Sequence, residues 1–381
     1  MTIRRKESGG WAAALVLLLG CGNAAALDVG VFGDMSLSHS NVSSSEPSFR
    51  LGSLDLYAAQ YIDENTRALF ELQFQTFSGG DITVEIQRFW VMREFSDALN
   101  VGAGRFHTPL GYWNRHFHHG ILLQDTVSRP FILSFEGSVN AIVPTHLIGM
   151  LAEGDLPAGL RYEAAIANSN TIDTSSETER LAVPNRSDLS SDKSLFGRIH
   201  YGRFGAPFKP GIFVMRNKVL DSASSGGLLA RGDPLVEQTV YGIDFRYERG
   251  RFDVMAEYYH FVNDAAPGVG DGRRHDADAW FAQFGFQITE HLKATYRHEG
   301  LEFDTTTAPI SDPLDLGGAD PYFMHPGLVG RNAIGTAKRN VLALRYDFNE
   351  SNALLLEMNA HDPQFGSSST TWFASWAFVM Y

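Results

Sequence analysis

The chain has 381 residues, 12% aromatic, with a formal net charge of −13 and a single cysteine. The acidic balance argues against nucleic acid as a partner. The lone Cys21 leaves nothing for a disulfide framework, so packing or hydrogen-bond closure must hold the fold.

The N-terminus reads as an export signal. Arg4, Arg5 and Lys6 precede an apolar run from Trp11 to Leu19, and small residues follow, ending Ala24-Ala25-Ala26. That order of basic start, short apolar core and A-x-A site is a secretory signal peptide, predicted over residues 1–26. The run is too short to anchor in a bilayer. Leu18-Leu19-Gly20-Cys21 also offers a lipoprotein-type site with Cys21 as the lipidated residue, although Leu19 departs from that pattern. Cleavage after Ala26 would remove Arg4, Arg5, Lys6 and Glu7 and move the net charge to −15.

Beyond residue 26 no uninterrupted apolar stretch reaches the ~20 residues of a membrane helix. Alternation of apolar and polar residues instead runs almost throughout. Residues 66–78 are the cleanest case. Ala68, Phe70, Leu72 and Phe74 share one face; Arg67, Glu71, Gln73 and Gln75 share the other. Successive strand side chains point to opposite faces, so such a segment separates an apolar medium from a polar one. In chain order the predicted strands are 27–39, 49–62, 66–78, 81–95, 98–106, 145–153, 160–168, 192–204, 209–219, 236–248, 251–263, 276–289, 292–303, 336–348, 352–361 and 370–381.

These sixteen segments are joined alternately by short and long connections. The short ones fall at 63–65, 96–97, 154–159, 205–208, 249–250, 290–291 and 349–351. An even strand number, short periplasmic turns and long external loops mark an outer-membrane β-barrel, and a closed barrel is the only sheet that leaves no unpaired edge in lipid. The fold expected over 27–381 is therefore an all-β, antiparallel transmembrane barrel of about 16 strands. A periplasmic β-sandwich is the competing reading; its strands average about 5–6 residues, shorter than these. The final segment carries Trp372 and Trp376, placed for interfacial girdles, and ends in Tyr381.

Residues 107–144 interrupt the pattern as the third external loop. The text GRFHTPLGYWNRHFHHGILLQDTVSRP from Gly104 to Pro130 is the densest in Arg, His and aromatics. Folded into the lumen, this loop would set the narrowest field a solute meets. Candidate constriction residues are Arg105, His107, Arg115, His116, His118, His119 and Arg129, opposed by Asp125 and Glu136. A second reading has Arg115 and the histidines tether the loop to wall carboxylates such as Glu71, Glu85 or Asp244. Tyr112 and Trp113 would stack on sugars or pack the loop against the wall. His116, His118 and His119 have part of a metal-ligand spacing but no assured third group type, so no metal is assigned. Histidines near their ordinary pKa of about 6.5 would make selectivity pH-sensitive. The predicted pore wall carries both signs: Arg198, Arg246, Arg297 and Arg345 against Asp55, Glu71, Glu85, Asp244, Glu257 and Glu357.

Sixteen strands, a leader, no cysteine after it and an outsized third external loop together resemble a bacterial porin. Gly104-Arg105-Phe106-His107-Thr108-Pro109-Leu110-Gly111 is similar to the end of the strand before the constriction loop in the phosphate-selective porin group. The chain departs from that group in lacking a Lys- and Arg-dense channel. The resemblance implies an inward-folded third loop, an outer-membrane location and passive diffusion of small hydrophilic solutes or ions. It also implies that Tyr381 belongs to a signal read by the barrel assembly machinery, with outer-membrane lipid around the barrel and a homotrimer as the assembly. A closed structural or adhesive barrel, or a metal- or anion-preferring channel using the Arg/His-rich loop, are the alternatives. No G-x-S-x-G elbow, Walker loop or dinucleotide loop occurs, so neither an enzyme nor a cofactor is expected.

Overall fold

A computed structural model of the chain describes residues 27–42, 46–76, 82–117, 120–136, 141–173, 175, 181–183, 188–202, 206–227, 229–267, 274–303, 337–363 and 367–381. The predicted leader, including Cys21, lies outside these residues.

The strands are β1 (Asp28–Ser40), β2 (Ser48–Asp63), β3 (Thr66–Thr76), β4 (Ile82–Ser96), β5 (Leu99–His107), β6 (His146–Asp155), β7 (Leu160–Asn168), β8 (Asn170–Ile172) and β9 (Lys193–Tyr201). They continue as β10 (Phe208–Asp221), β11 (Pro234–Arg249), β12 (Phe252–Ala265), β13 (Arg274–Gln287), β14 (Leu292–Phe303), β15 (Ala337–Asn349), β16 (Asn352–Pro363) and β17 (Ser369–Met380). Apart from β8, each pairs antiparallel with the next along the chain, and β17 pairs back onto β1 from Val31↔Met380 to Ser40↔Thr371. The sheet is thus a closed antiparallel barrel of sixteen wall strands.

All sixteen predicted segments are wall strands, most displaced by only one or two residues at an end. β8 is the addition. It lies in the long connection between the strands predicted over 160–168 and 192–204, pairs parallel with the end of β10 and leaves β7 to pair directly with β9.

Closure follows from the alternation. On β11 Ile243 is 57% exposed while its neighbour Asp244 is 2% exposed. The same contrast recurs around the ring: Leu54, Ile212, Leu342 and Trp376 are exposed, and Asp55, Arg198, Arg297 and Glu357 are buried. An outward apolar band and an inward polar face satisfy lipid on one side and paired charge on the other. No helix among the described residues is long and apolar enough to cross a membrane; the strands make the wall. Gly104 takes a φ of +137°, where an added Cβ would sit 2.0 Å from the Phe89 carbonyl oxygen. Glycine is required there by both conformation and space.

Candidate functional site

The long connection between β5 and β6 is closed at its neck. Thr108 N donates to the Thr145 carbonyl at 2.9 Å, and the Asn114 amide donates to both Thr108 O and Thr145 O. Between them the chain forms one short helix, α1 (Trp113–His116), and two 3₁₀ turns at Ile121–Leu123 and Phe131–Leu133. So little secondary structure leaves many backbone groups without ladder partners, and each buried one needs another.

The inner wall supplies them. Trp113 N donates to Glu257 Oε1 at 2.6 Å, Val127 N to Glu357 Oε2 at 2.6 Å, Ser128 N to the same oxygen at 3.0 Å, and Phe131 N to Glu299 Oε2 at 2.5 Å. Arginines bind the carbonyls in return. Arg345 donates to Leu122 O at 2.6 Å and Gln124 O at 2.7 Å, Arg297 to Ser128 O at 2.7 Å, and Arg339 to Arg129 O. These glutamates and arginines stand on the inward faces of β12, β14, β15 and β16, so the segment is bound to the far wall. Bonds with an ionised partner are the stronger class, roughly 1.5–3 kcal/mol each.

One sector of the inner face is not polar, contrary to the expectation from sequence. Phe213, Met215, Val240, Tyr259, Phe261 and Phe281 on β10–β13 are buried there against Leu110, Trp113, Ile132, Leu133, Ile142 and Val143 of the loop region. Fully burying such a side chain contributes roughly 1.5–3 kcal/mol. Loop and wall therefore share an apolar core that fills this sector.

Ion pairs run along the opposite sector, with Arg67, Glu85, Arg88 and Glu94 partly exposed and Glu71, Arg105 and Glu163 buried. Glu85, with a side chain 42% exposed, meets Arg105 at 3.1 Å, and Arg88 meets Glu71 at 2.5 Å. Further down, Arg67 bridges Glu94 at 3.3 Å and Glu153 at 3.1 Å, and Arg115 joins Glu153 at 3.1 Å to Glu163 at 2.6 Å. Two cavities adjoin this track. One of about 320 Å³, lined by Asp34, Ser53, Gln73, Gln124 and Arg129, lies toward the long-loop ends of β2 and β3. The other, of about 280 Å³, is bounded by Tyr112, Arg115, Glu153, Glu163, Arg198 and Lys209, toward the short-turn ends of β6, β7, β9 and β10.

The residues singled out in sequence divide between packing, tethering and track. Trp113 is buried beneath the Arg129 guanidinium, 4.9 Å from its ring, and so packs. Tyr112 stacks on His116 at 3.8 Å between ring centres. Burial raises the Tyr112 pKa. Arg115 pairs with Glu153 and Glu163, whereas Glu71, Glu85 and Asp244, its expected partners, are held by Arg88, Arg105 and Arg198. His107 is buried with its ring 5.4 Å from that of His146. Asp125 accepts from Lys293 at 2.8 Å. Arg129 donates to Leu133 O, and burial lowers its pKa to about 9, still cationic at neutral pH. Burial works against the Glu136 carboxylate, but His146, donating its backbone N–H at 2.6 Å, and Arg105 outweigh it and hold the pKa at about 2.

His116 donates Nδ1–H to the Tyr112 carbonyl oxygen at 2.8 Å. Enclosure by protein lowers its pKa from 6.5, and the Arg198 and Arg115 charges act in the same direction. His118 and His119 lie outside the described residues, among which no group of three His, Cys, Asp or Glu could hold a metal. On the wall, Asp55 accepts from Ser53, Arg246 binds Asp253, Arg297 binds Glu299 and Arg345 binds Asp347. Sequence reasoning passed over Arg88, Glu153, Glu163, Asp253, Lys293, Glu299 and Arg339. Asp253, Lys293, Glu299 and Arg339 share a strand face with polar residues already singled out, whereas Arg88, Glu153 and Glu163 carry no such signal.

Neither a protein-family model nor a curated protein sequence matches the chain. Solved structures do. An anion-selective porin from Comamonas acidovorans is similar at a TM-score of 0.61 and 10% identity, over 93% of this chain and 99% of that one. Salmonella typhi OmpF in complex with daunomycin aligns at 0.61 and 9% identity, over 93% and 97%. The outer membrane channel DcaP of Acinetobacter baumannii aligns at 0.59 and 9% identity, over 94% and 99%. Likeness at this identity speaks for architecture, and with ring closure and alternation it identifies the fold as that of the sixteen-stranded porins.

Proposed function

We propose that the protein is an outer-membrane porin through which small hydrophilic solutes or ions diffuse down their gradients. The observation that carries this reading is the partly exposed track of paired charge along β3–β6, beside a loop bound to the far wall. Arg105, Arg115, Arg129, Glu85 and Glu136 then form the field at the narrowest part, since charge and hydrogen-bond groups at a constriction select among solutes. Residues 1–26 act as a cleaved leader, Tyr381 as part of the assembly signal, and the apolar outer band meets lipid. The trimer form of OmpT of Vibrio cholerae is similar at a TM-score of 0.57, which supports a homotrimer here. The reading is of a channel, not an enzyme, and needs no cofactor.

A closed structural barrel is the second reading, favoured by the apolar core that fills the β10–β13 sector. Single-channel conductance of the refolded barrel in a planar bilayer separates the two. Stable open steps support the porin, and a salt-gradient reversal potential reports its ion preference. A correctly folded barrel without conductance overturns the porin reading.

A further inference from the structure

We propose that the cavity at the short-turn end of the lumen is a binding site for a small oxyanion, a carboxylate or a phosphate, held by Lys209 and Arg161. This rests on the porin reading for its access route but not for its chemistry.

The cavity holds about 280 Å³ and draws its charge from β6, β7, β9, β10 and the start of the loop. Its two carboxylates are already committed. Glu153 is bridged by Arg67 and Arg115, both at 3.1 Å; Glu163 is bridged by Arg115 at 2.6 Å and Arg198 at 3.2 Å. Arg198 also donates to Asp244, at 3.0 and 2.8 Å. These pairs neutralise one another and form the back of the cavity.

The mouth differs. Among the described residues Lys209 has no ion pair and no side-chain hydrogen bond, although it lines the cavity and is half-buried. Arg161, also lining it, shares a single contact with Asp155 at 3.2 Å and keeps a side chain 42% exposed. A lysine ammonium and a guanidinium with unspent donors are the usual partners of carboxylate and phosphate oxygens. The remaining polar groups at the cavity add no negative charge: the Tyr112 hydroxyl and the His200 ring can donate, and neutral His116, with Nδ1–H given to Tyr112 O, leaves only its Nε2 lone pair. A cation entering the cavity would meet two cations before reaching any uncommitted carboxylate.

The test uses the full refolded barrel and two probes, succinate and inorganic phosphate. In the bilayer, either probe should reduce the potassium chloride current in a concentration-dependent manner. In Lys209→Gln the half-blocking concentration, scaled to that variant's own unblocked current, should rise about fivefold, the factor given by roughly 1 kcal/mol of lost charge interaction. Lys209→Arg should restore it. Block by succinate alone or by phosphate alone names the source of the oxyanion. Block that is absent, or equal in wild type and Lys209→Gln, overturns the proposal. Should the barrel not conduct, calorimetric titration of succinate and of phosphate into detergent-solubilised protein decides: Lys209-dependent binding upholds the site while the porin reading falls, and no binding of either removes the site.

Discussion

Glu357 isolates the seating of the loop from the stability of the wall. Its carboxylate is 2% exposed, and its hydrogen bonds go to two loop amides, Val127 N at 2.6 Å and Ser128 N at 3.0 Å. Glu299, in contrast, also binds Arg297 and Arg339, so its removal would disturb the wall as well. Replacing Glu357 by Ala takes away both charge-assisted bonds. At roughly 1.5–3 kcal/mol each the gross loss is ~3–6 kcal/mol, and lumen water recovers part of it, leaving about 3 kcal/mol. That shifts the balance between seated and released loop by on the order of 100-fold, since each 1.4 kcal/mol is a factor of ten. Hydrogen–deuterium exchange reads this directly. Exchange of the 125–131 segment should accelerate on the order of 100-fold in Glu357→Ala, with strand amides on β2 and β3 unchanged. Unaltered exchange in that segment would refute the view that wall carboxylates hold the loop in place; equal acceleration everywhere would mean that Glu357 supports the barrel as a whole.

The depressed pKa of His116 gives a sign that can be checked. Between 6.5 and its lower folded value the ring is neutral in the fold and protonated when unfolded, so its contribution to stability is complete above 6.5 and declines as pH falls below it. The reversal potential should therefore show no His116-dependent change between pH 7.5 and 6.0, compared in wild type and His116→Gln. A difference confined to the wild type would show that the ring charges in that range. Gly104→Ala should cost about 1–3 kcal/mol or prevent folding, because φ is +137° and the Phe89 carbonyl occupies the place of a Cβ. Heat-modified electrophoretic mobility measures this, and a wild-type transition would show that the backbone there relaxes freely.

The wall was legible because each strand borders two media. Alternation such as Ala68-Phe70-Leu72 against Arg67-Glu71-Gln73 fixes both the strand and its inward face, and sixteen such segments imply closure. The filled sector was not legible. In Tyr258-Tyr259-His260-Phe261-Val262 the apolar residues fall on both faces, and period-two reasoning gives no sign of what covers Tyr259 and Phe261. Read differently, that doubled apolar character was the available signal, because an inner face without charge must be covered by protein. The loop's importance was evident from composition, yet its partners were not. Arg115 meets Glu153 and Glu163 through strand pairing that joins residues far apart in sequence, and no local spacing encodes such a choice among more than a dozen carboxylates. β8 was missed for a related reason: three residues are too few for a period.

Along β12–β16 the wall grips the loop by its main chain, beside the side-chain core shared with β10–β13. Glu257, Glu299 and Glu357 take amide N–H groups, and Arg297, Arg339 and Arg345 take carbonyls. Main-chain groups are the same at every position, whatever the side chain. Side chains that border the cavity beside β1–β3 are more constrained: Ile121 and Val127 also pack on the cluster of Leu122, Leu355 and Val379, and Gln124 donates to Phe117 O, so only replacements of similar size and polarity keep the hold. The barrel works as a socket for the loop: main-chain anchors fix the path of the insert, and on the porin reading the side chains left at the cavity set what a solute would meet.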